Sequence, residues 1–249
     1  MRKILLLLLT LAMAISCVAC GTQDTTDTTD SLLTPTATPT STPNNTDDTM
    51  QVLVKISDGA GVIQLGYQTV SVTDVDQDGK YTINDALQCA HNQYYTGQGE
   101  GYSSAMTEYG LSLTTLWGDT SGSYGYYVND ASSMSLSDTI KEGDRIAAYV
   151  YRDQVGWSDV YTYFDQIQVE TQENSVTLIL MGQTFDNNFN MVNTPIEGAT
   201  ITINGAATEF VTDATGKVTV VFEAAGQYVI SAETTGMVIV FPLCNVTIK

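Results

Sequence analysis

Alternation limits this chain more than any other feature. From Gln51 to the end it is a succession of short runs in which every second residue is apolar, broken by Gly, Asp and Thr. "QVLVKI" sets Val52, Val54 and Ile56 on one side, and "YQTVSV" repeats the pattern through Val70 and Val72. "SVTLILMG", "GATITING", "GKVTVVFEA", "GQYVISAE" and "MVIVFPLCNVTIK" carry it to Lys249. A period of two gives a strand one face for a core and one for solvent, and a helix cannot use it. One segment breaks the rule. "INDALQCAHNQYY" spaces Ile83, Leu87, Ala90 and Tyr94 by three or four residues, which predicts a helix. The fold class expected is mainly β with one helix in its first domain.

The first 49 residues lack the alternation. "MRKILLLLLTLAMAISCVACG" has Arg2 and Lys3, an apolar run from Ile4, and small residues before Cys20. That run is short for a membrane span and its flanks fit a signal peptide. "CVACG" resembles a bacterial lipobox, which implies cleavage before Cys20 and its lipidation. Cys17 stands where that motif usually has Leu, and "AISC" makes Cys17 a competing site; an unlipidated signal peptide is the third reading. Residues 1–20 are thus read as a lipoprotein signal. Residues 21–49, rich in Thr, Asp and Pro, cannot bury a core and read as a disordered tether. The localisation expected is the extracellular side of a bacterial cell membrane, held there by the lipid.

The formal net charge is −19, from 28 acidic and 9 basic residues. Phosphate binding needs basic surface, so no nucleic-acid partner is expected. Catalytic constellations are missing as well. There is one histidine, His91, and no nucleophile elbow or phosphate-binding Gly-rich loop. Asp119 and Glu108 are carboxylates without context. The chain is read as not an enzyme. Cys89 and Cys244 sit in apolar surroundings and are either free thiols or a disulfide; their spacing does not suggest zinc.

The densest chemistry lies in "DVDQDGKYTIND". Counted as an EF-hand-type loop, Asp74, Asp76 and Asp78 fall at positions 1, 3 and 5. Gly79 falls at the sharp turn, Lys80 at the carbonyl position, Thr82 at position 9 and Asp85 at position 12. Four carboxylates on a short loop repel unless a hard cation neutralises them, so calcium is the cofactor expected. Asp at position 12 resembles the dockerin form of the loop, but no second copy is present. The plainer reading is an Asp-Gly turn followed by a capped helix.

Tyrosine gathers downstream, in "GSYGYYVND". Alternation there turns some rings outward, so Trp117, Tyr124, Tyr126 and Tyr127 form a candidate ligand surface for sugars or flat molecules. Packing of these rings in the core is the competing reading.

Two strands, the loop, the "TINDALQCAH" helix, "GSYGYYVND" and "DTIKEGDRIAAYVY" together resemble a β-grasp domain, and more closely the transcobalamin-C-terminal-like domain of bacterial surface proteins. The resemblance covers about residues 51–169. It implies the fold, and it makes capture of a corrinoid-like small ligand an alternative function. "TPIEGATITINGAATEFVTDATGKVTVVFEAAGQYVISA" resembles bacterial immunoglobulin-like and carboxypeptidase-regulatory-like modules, which implies a small antiparallel β-sandwich. The organisation expected is residues 50–172 as β-grasp domain and 173–249 as sandwich. The function expected is a lipid-anchored binding or adhesion protein with a structural calcium site and an unidentified extracellular ligand, whether glycan, protein or small molecule. A non-catalytic part in surface glycan breakdown is the second alternative.

Overall fold

A computed structural model describes residues 49–249, which form one compact unit. The signal peptide, the lipidation site at Cys20 or Cys17, and the tether up to residue 48 lie outside the described residues.

The first layer follows the alternation. β1 (Met50–Ser57) and β2 (Ile63–Val72) form an antiparallel hairpin, and α1 (Ile83–Tyr94) comes next. A separate hairpin of β3 (Tyr102–Thr107) and β4 (Gly110–Leu116) then precedes β5 (Tyr124–Val128) and β6 (Ala131–Ser132). β7 (Arg145–Val150) returns parallel to β1, with Leu53 opposite Arg145. The sheet order is β2-β1-β7-β5-β6. A central parallel pair with one helix across a face is the β-grasp arrangement. Ile83, Ala86, Leu87 and Ala90 of α1 share a buried core with Val52, Val54, Ile56, Val70 and Val72. Each aliphatic side chain larger than alanine in that core contributes about 1.5–3 kcal/mol by burial.

α1 starts where its chemistry dictates. Thr82 has extended backbone and its hydroxyl accepts from the Asp85 amide, while the Asp85 carboxylate accepts from the Thr82 amide. This reciprocal capping box satisfies amides that no helical carbonyl can reach. The far end guards the sheet. Gln93 donates to the Ser71 carbonyl and accepts from its amide, and the Tyr94 hydroxyl donates to the Thr69 carbonyl.

The second layer pair contains β8 (Val160–Phe164), β9 (Gln168–Thr171), β10 (Ser175–Phe185), β11 (Met191–Pro195) and β12 (Thr200–Ile203). β13 (Ala206–Val211), β14 (Lys217–Val221), β15 (Gly226–Glu233), β16 (Ile239–Val240) and β17 (Cys244–Ile248) complete it. One sheet runs β11-β10-β8-β16 with β14 also on β10; the other runs β13-β12-β15-β17-β9. Leu178, Leu180, Ile201, Val220, Ile230 and Val246 fill the space between them. Most pairings are antiparallel, but β16 on β8 and β9 on β17 are parallel.

Sheet membership differs from the sequence division at residue 172. β8 pairs with β10 and β9 with β17, so both strands of "VYTYFDQIQV" belong to the sandwich rather than the grasp domain. Alternation identifies a strand but not its neighbours, which explains the displacement. The two domains also share a core. Tyr127, Ala147 and Tyr149 of the grasp sheet pack on Tyr161 and Val240. The Tyr127 and Tyr161 rings stack 3.7 Å apart at 7°.

Candidate functional site

The acidic loop leaves β2 and turns through two left-handed residues, Gln77 at φ 61° and Gly79 at φ 83°. Glycine adopts that conformation without the Cβ penalty, which accounts for Gly79. The turn folds the carboxylates inward. Asp74 accepts from the amides of Asp78 and Gly79, and Asp76 also accepts from the Asp78 amide. One carboxylate oxygen from each of Asp74, Asp76 and Asp78 lies within 4.8 Å of the others. Asp76, though exposed, is held above the ordinary carboxylate range, first by desolvation and then by the charges of Asp78 and Asp85. The Lys80 ammonium stands 3.4 Å from Asp78, with both groups exposed, a pair that contributes little.

Asp85 is placed elsewhere. It is fully buried and accepts from the Val75 amide, the Thr82 amide and the Thr82 hydroxyl. Positions 9 and 12 of the loop are therefore engaged in the helix cap. The structure brings Asp74, Asp76 and Asp78 together, while Thr82 and Asp85 bond to each other in the helix cap.

His91 is a packing residue. Its Nδ1 lies 2.6 Å from the Leu87 carbonyl, and its Nε2 accepts from the Trp117 amide at 2.9 Å. That pair of bonds requires a neutral ring with the proton on Nδ1. Burial lowers its pKa, against the Leu87 bond. Trp117 is half-buried and packs its ring against His91 and Tyr95. Tyr124 is half-buried, with its hydroxyl donating to the Asp119 carbonyl. Tyr126 and Tyr127 are buried on opposite faces of β5, one in the grasp core and the other in the shared core. The four aromatics thus serve mainly as packing, although Tyr124, Tyr126 and Tyr127 also line a shallow depression beside β6. Cys89 and Cys244 are free and buried, and burial pushes the Cys244 thiol up to about 12.

Sequence reasoning missed Lys55. Alternation makes it the polar face of β1, yet it is 1% exposed because the sandwich covers that face. Its Nζ donates to the Phe241 carbonyl at 2.9 Å and lies within 6 Å of the Tyr67 and Tyr161 ring centres. Desolvation lowers its pKa to about 8, against the raising effect of Asp130. Asp130 accepts from the Tyr161 hydroxyl and pairs with Arg145. Nothing in a one-residue polar position between apolar neighbours signals such a partner.

No protein-family profile matches the chain, and no curated protein is similar to it at a significant level. Among solved structures it is similar to the D0-D1 domain of intimin, at 14% identity over 79% of this chain and 97% of that one, with a TM-score of 0.28. It is also similar to the D00-D0 domain of intimin, at 14% identity over 73% and 88%, with a TM-score of 0.19. Likeness at this level assigns no function. Among the described residues, no helix is long and apolar enough to cross a membrane.

Proposed function

We propose that the chain is a binding protein on the outer side of a bacterial cell membrane, anchored through Cys20, whose first domain is stabilised by calcium. The observation that carries the calcium reading is the meeting of Asp74, Asp76 and Asp78 oxygens within 4.8 Å. Calcium–oxygen distances are about 2.3–2.6 Å, so ligands on opposite sides of one ion lie up to about 5 Å apart. The three carboxylates fit that span, and the Lys80 carbonyl is the fourth protein ligand. With Asp85 engaged in the cap, the set is weaker than the loop pattern implies. It suits extracellular calcium, for which modules bind at roughly 10⁻⁴–10⁻³ M.

Calcium bound only to the folded state at a hundred times its dissociation constant adds about 2.7 kcal/mol. For a chain of this size that is a rise in Tm of about 5–11 °C. Calorimetry of the full chain in calcium and in chelator reads it, and Asp78→Ala should abolish the difference. Equal melting temperatures for the wild type in both buffers would show a capped turn without metal. The anchor is tested separately. Cys20→Ser should release the protein from membranes and remove label from a palmitate analogue; label retained in Cys20→Ser but lost in Cys17→Ser would move the lipid to Cys17.

A further inference from the structure

A groove of about 630 Å³ runs along the junction of the two domains, on the side away from α1. This lies within the roughly 300–1,000 Å³ of ligand pockets. One wall is β2, with Tyr67 and Gln68; the other is the outer face of the sandwich sheet, with Gln168 of β9, Gln227 of β15 and Asn245 of β17.

Three properties make it a built site. The first is register. Gln168, Asn245 and Val229 lie opposite one another across three adjacent strands, and Gln227 lies opposite Thr247 one step along. The amides therefore form rows on one rigid face. The second is that these amides are unspent: the side chains of Gln68, Gln168, Gln227 and Asn245 make no hydrogen bond within the described residues. Gln93 and Gln183 spend theirs on the Ser71 and Asp130 carbonyls. The third is the wall. β2 carries an irregularity in its pairing with β1, and there Tyr67 adopts φ 47° within a strand. Left-handed backbone at a bulky residue is costly and persists where the surroundings enforce it. A bulge re-aims side chains, and this one turns Tyr67 toward Lys55 and Tyr161 while Gln68 is exposed at the groove.

The lining also contains no charged residue, although the chain carries 37 of them (28 acidic and 9 basic). An ionic ligand would find no counter-charge. A hydrophobic one would leave the amides unpaired, at about 1–3 kcal/mol for each buried group. Side-chain amides offer donors and an acceptor together, matching hydroxyls that both donate and accept. An extended polypeptide would add a strand at a sheet margin, and at the β2 margin the Ser71 amide and carbonyl and the Thr69 carbonyl are already taken by α1.

From these observations we infer that the groove binds a neutral oligosaccharide, with Gln68, Gln168, Gln227 and Asn245 reading its hydroxyls. This deepens the binding part of the proposed function and does not depend on the calcium loop.

The full chain is titrated with cellohexaose, mannohexaose, xylohexaose and maltohexaose, with polygalacturonate as the acidic control, by calorimetry and by retardation in glycan-containing gels. At least one neutral glycan should bind while polygalacturonate does not. Gln227→Ala and Asn245→Ala should each weaken it about fivefold to tenfold, the worth of one lost hydrogen bond. The double variant should lose binding with its Tm unchanged, since neither amide is bonded in the folded protein. Tyr124→Ala, away from the groove, should bind as the wild type does. Failure of all four neutral glycans to bind would overturn the inference, as would binding that the double variant keeps. Capture of extended peptides through the same amides without glycan binding would overturn it too. The chelator shift in Tm, measured on the same samples, separates the two claims: its presence without glycan binding removes the groove alone, and its absence with glycan binding removes the calcium alone.

Discussion

Lys55→Met isolates the one cation sealed between the domains. In the unfolded chain this lysine titrates near its ordinary 10.5, and in the folded protein near 8. Between those values the unfolded chain holds more protons, so the lysine's cost to folding is fully present below about pH 8 and fades as pH rises toward 10.5. The gap corresponds to about 3 kcal/mol. From about pH 7.5 to about pH 9.5 the cost falls by about 2 kcal/mol. Other groups pull the opposite way. Burial raises Cys244 to about 12, and Tyr67 and Tyr127 also to about 12, so alkali favours the unfolded state through them. The raw pH profile therefore mixes signs, and the informative quantity is the stability of wild type minus that of Lys55→Met. That difference should move in favour of the wild type by about 2 kcal/mol across the window, or about 4–8 °C in Tm. Urea unfolding of both proteins at four pH values measures it. A constant difference would mean that Lys55 titrates normally and is hydrated, and the sealed junction would be refuted.

Two further perturbations probe the frame. Thr82→Ala removes one half of the capping box and takes from the buried Asp85 carboxylate one of its three donors, so it should cost about 1–2 kcal/mol in urea unfolding with and without calcium alike. A cost that appears only with calcium would make Thr82 a metal ligand instead. A Cβ at Gly125 would collide with the Tyr149 ring, so Gly125→Ala should cost about 1–3 kcal/mol, and a smaller cost for Gly125→Ala when made in a Tyr149→Leu background, which removes the ring, would identify the clash as its source.

Alternation read the strands because it reports which face of a strand is apolar, and it read α1 because three- and four-residue spacing and a capping pair coincide at Thr82 and Asp85. Pairing was beyond it. β8 and β9 look like continuations of the grasp domain, and only their ladders to β10 and β17 show otherwise. The same limit hid the junction. Lys55 and Tyr127 occupy ordinary outward positions of the grasp sheet until Tyr161 of the second domain covers them. At the loop the sequence offered two uses for Asp85, as ligand and as cap, because both need an acid three residues after Thr82. The buried carboxylate with three donors is the cap. The amide groove had no local signature at all, since its residues come from four strands far apart in the chain.

The grip of Gln93 and Tyr94 on β2 bears on how such molecules behave when crowded. A bare strand margin is a template on which a neighbouring chain can extend its own sheet. Here one end of the margin is already occupied: Ser71 has both its backbone groups taken by one carboxamide, and Thr69 has its carbonyl taken by a phenol. The opposite margin, β6, is only two residues long. A neighbouring copy would thus find no open ladder at this end of β2. Trimming the last turn of α1 would uncover these groups and leave this end of β2 open to pairing with another strand.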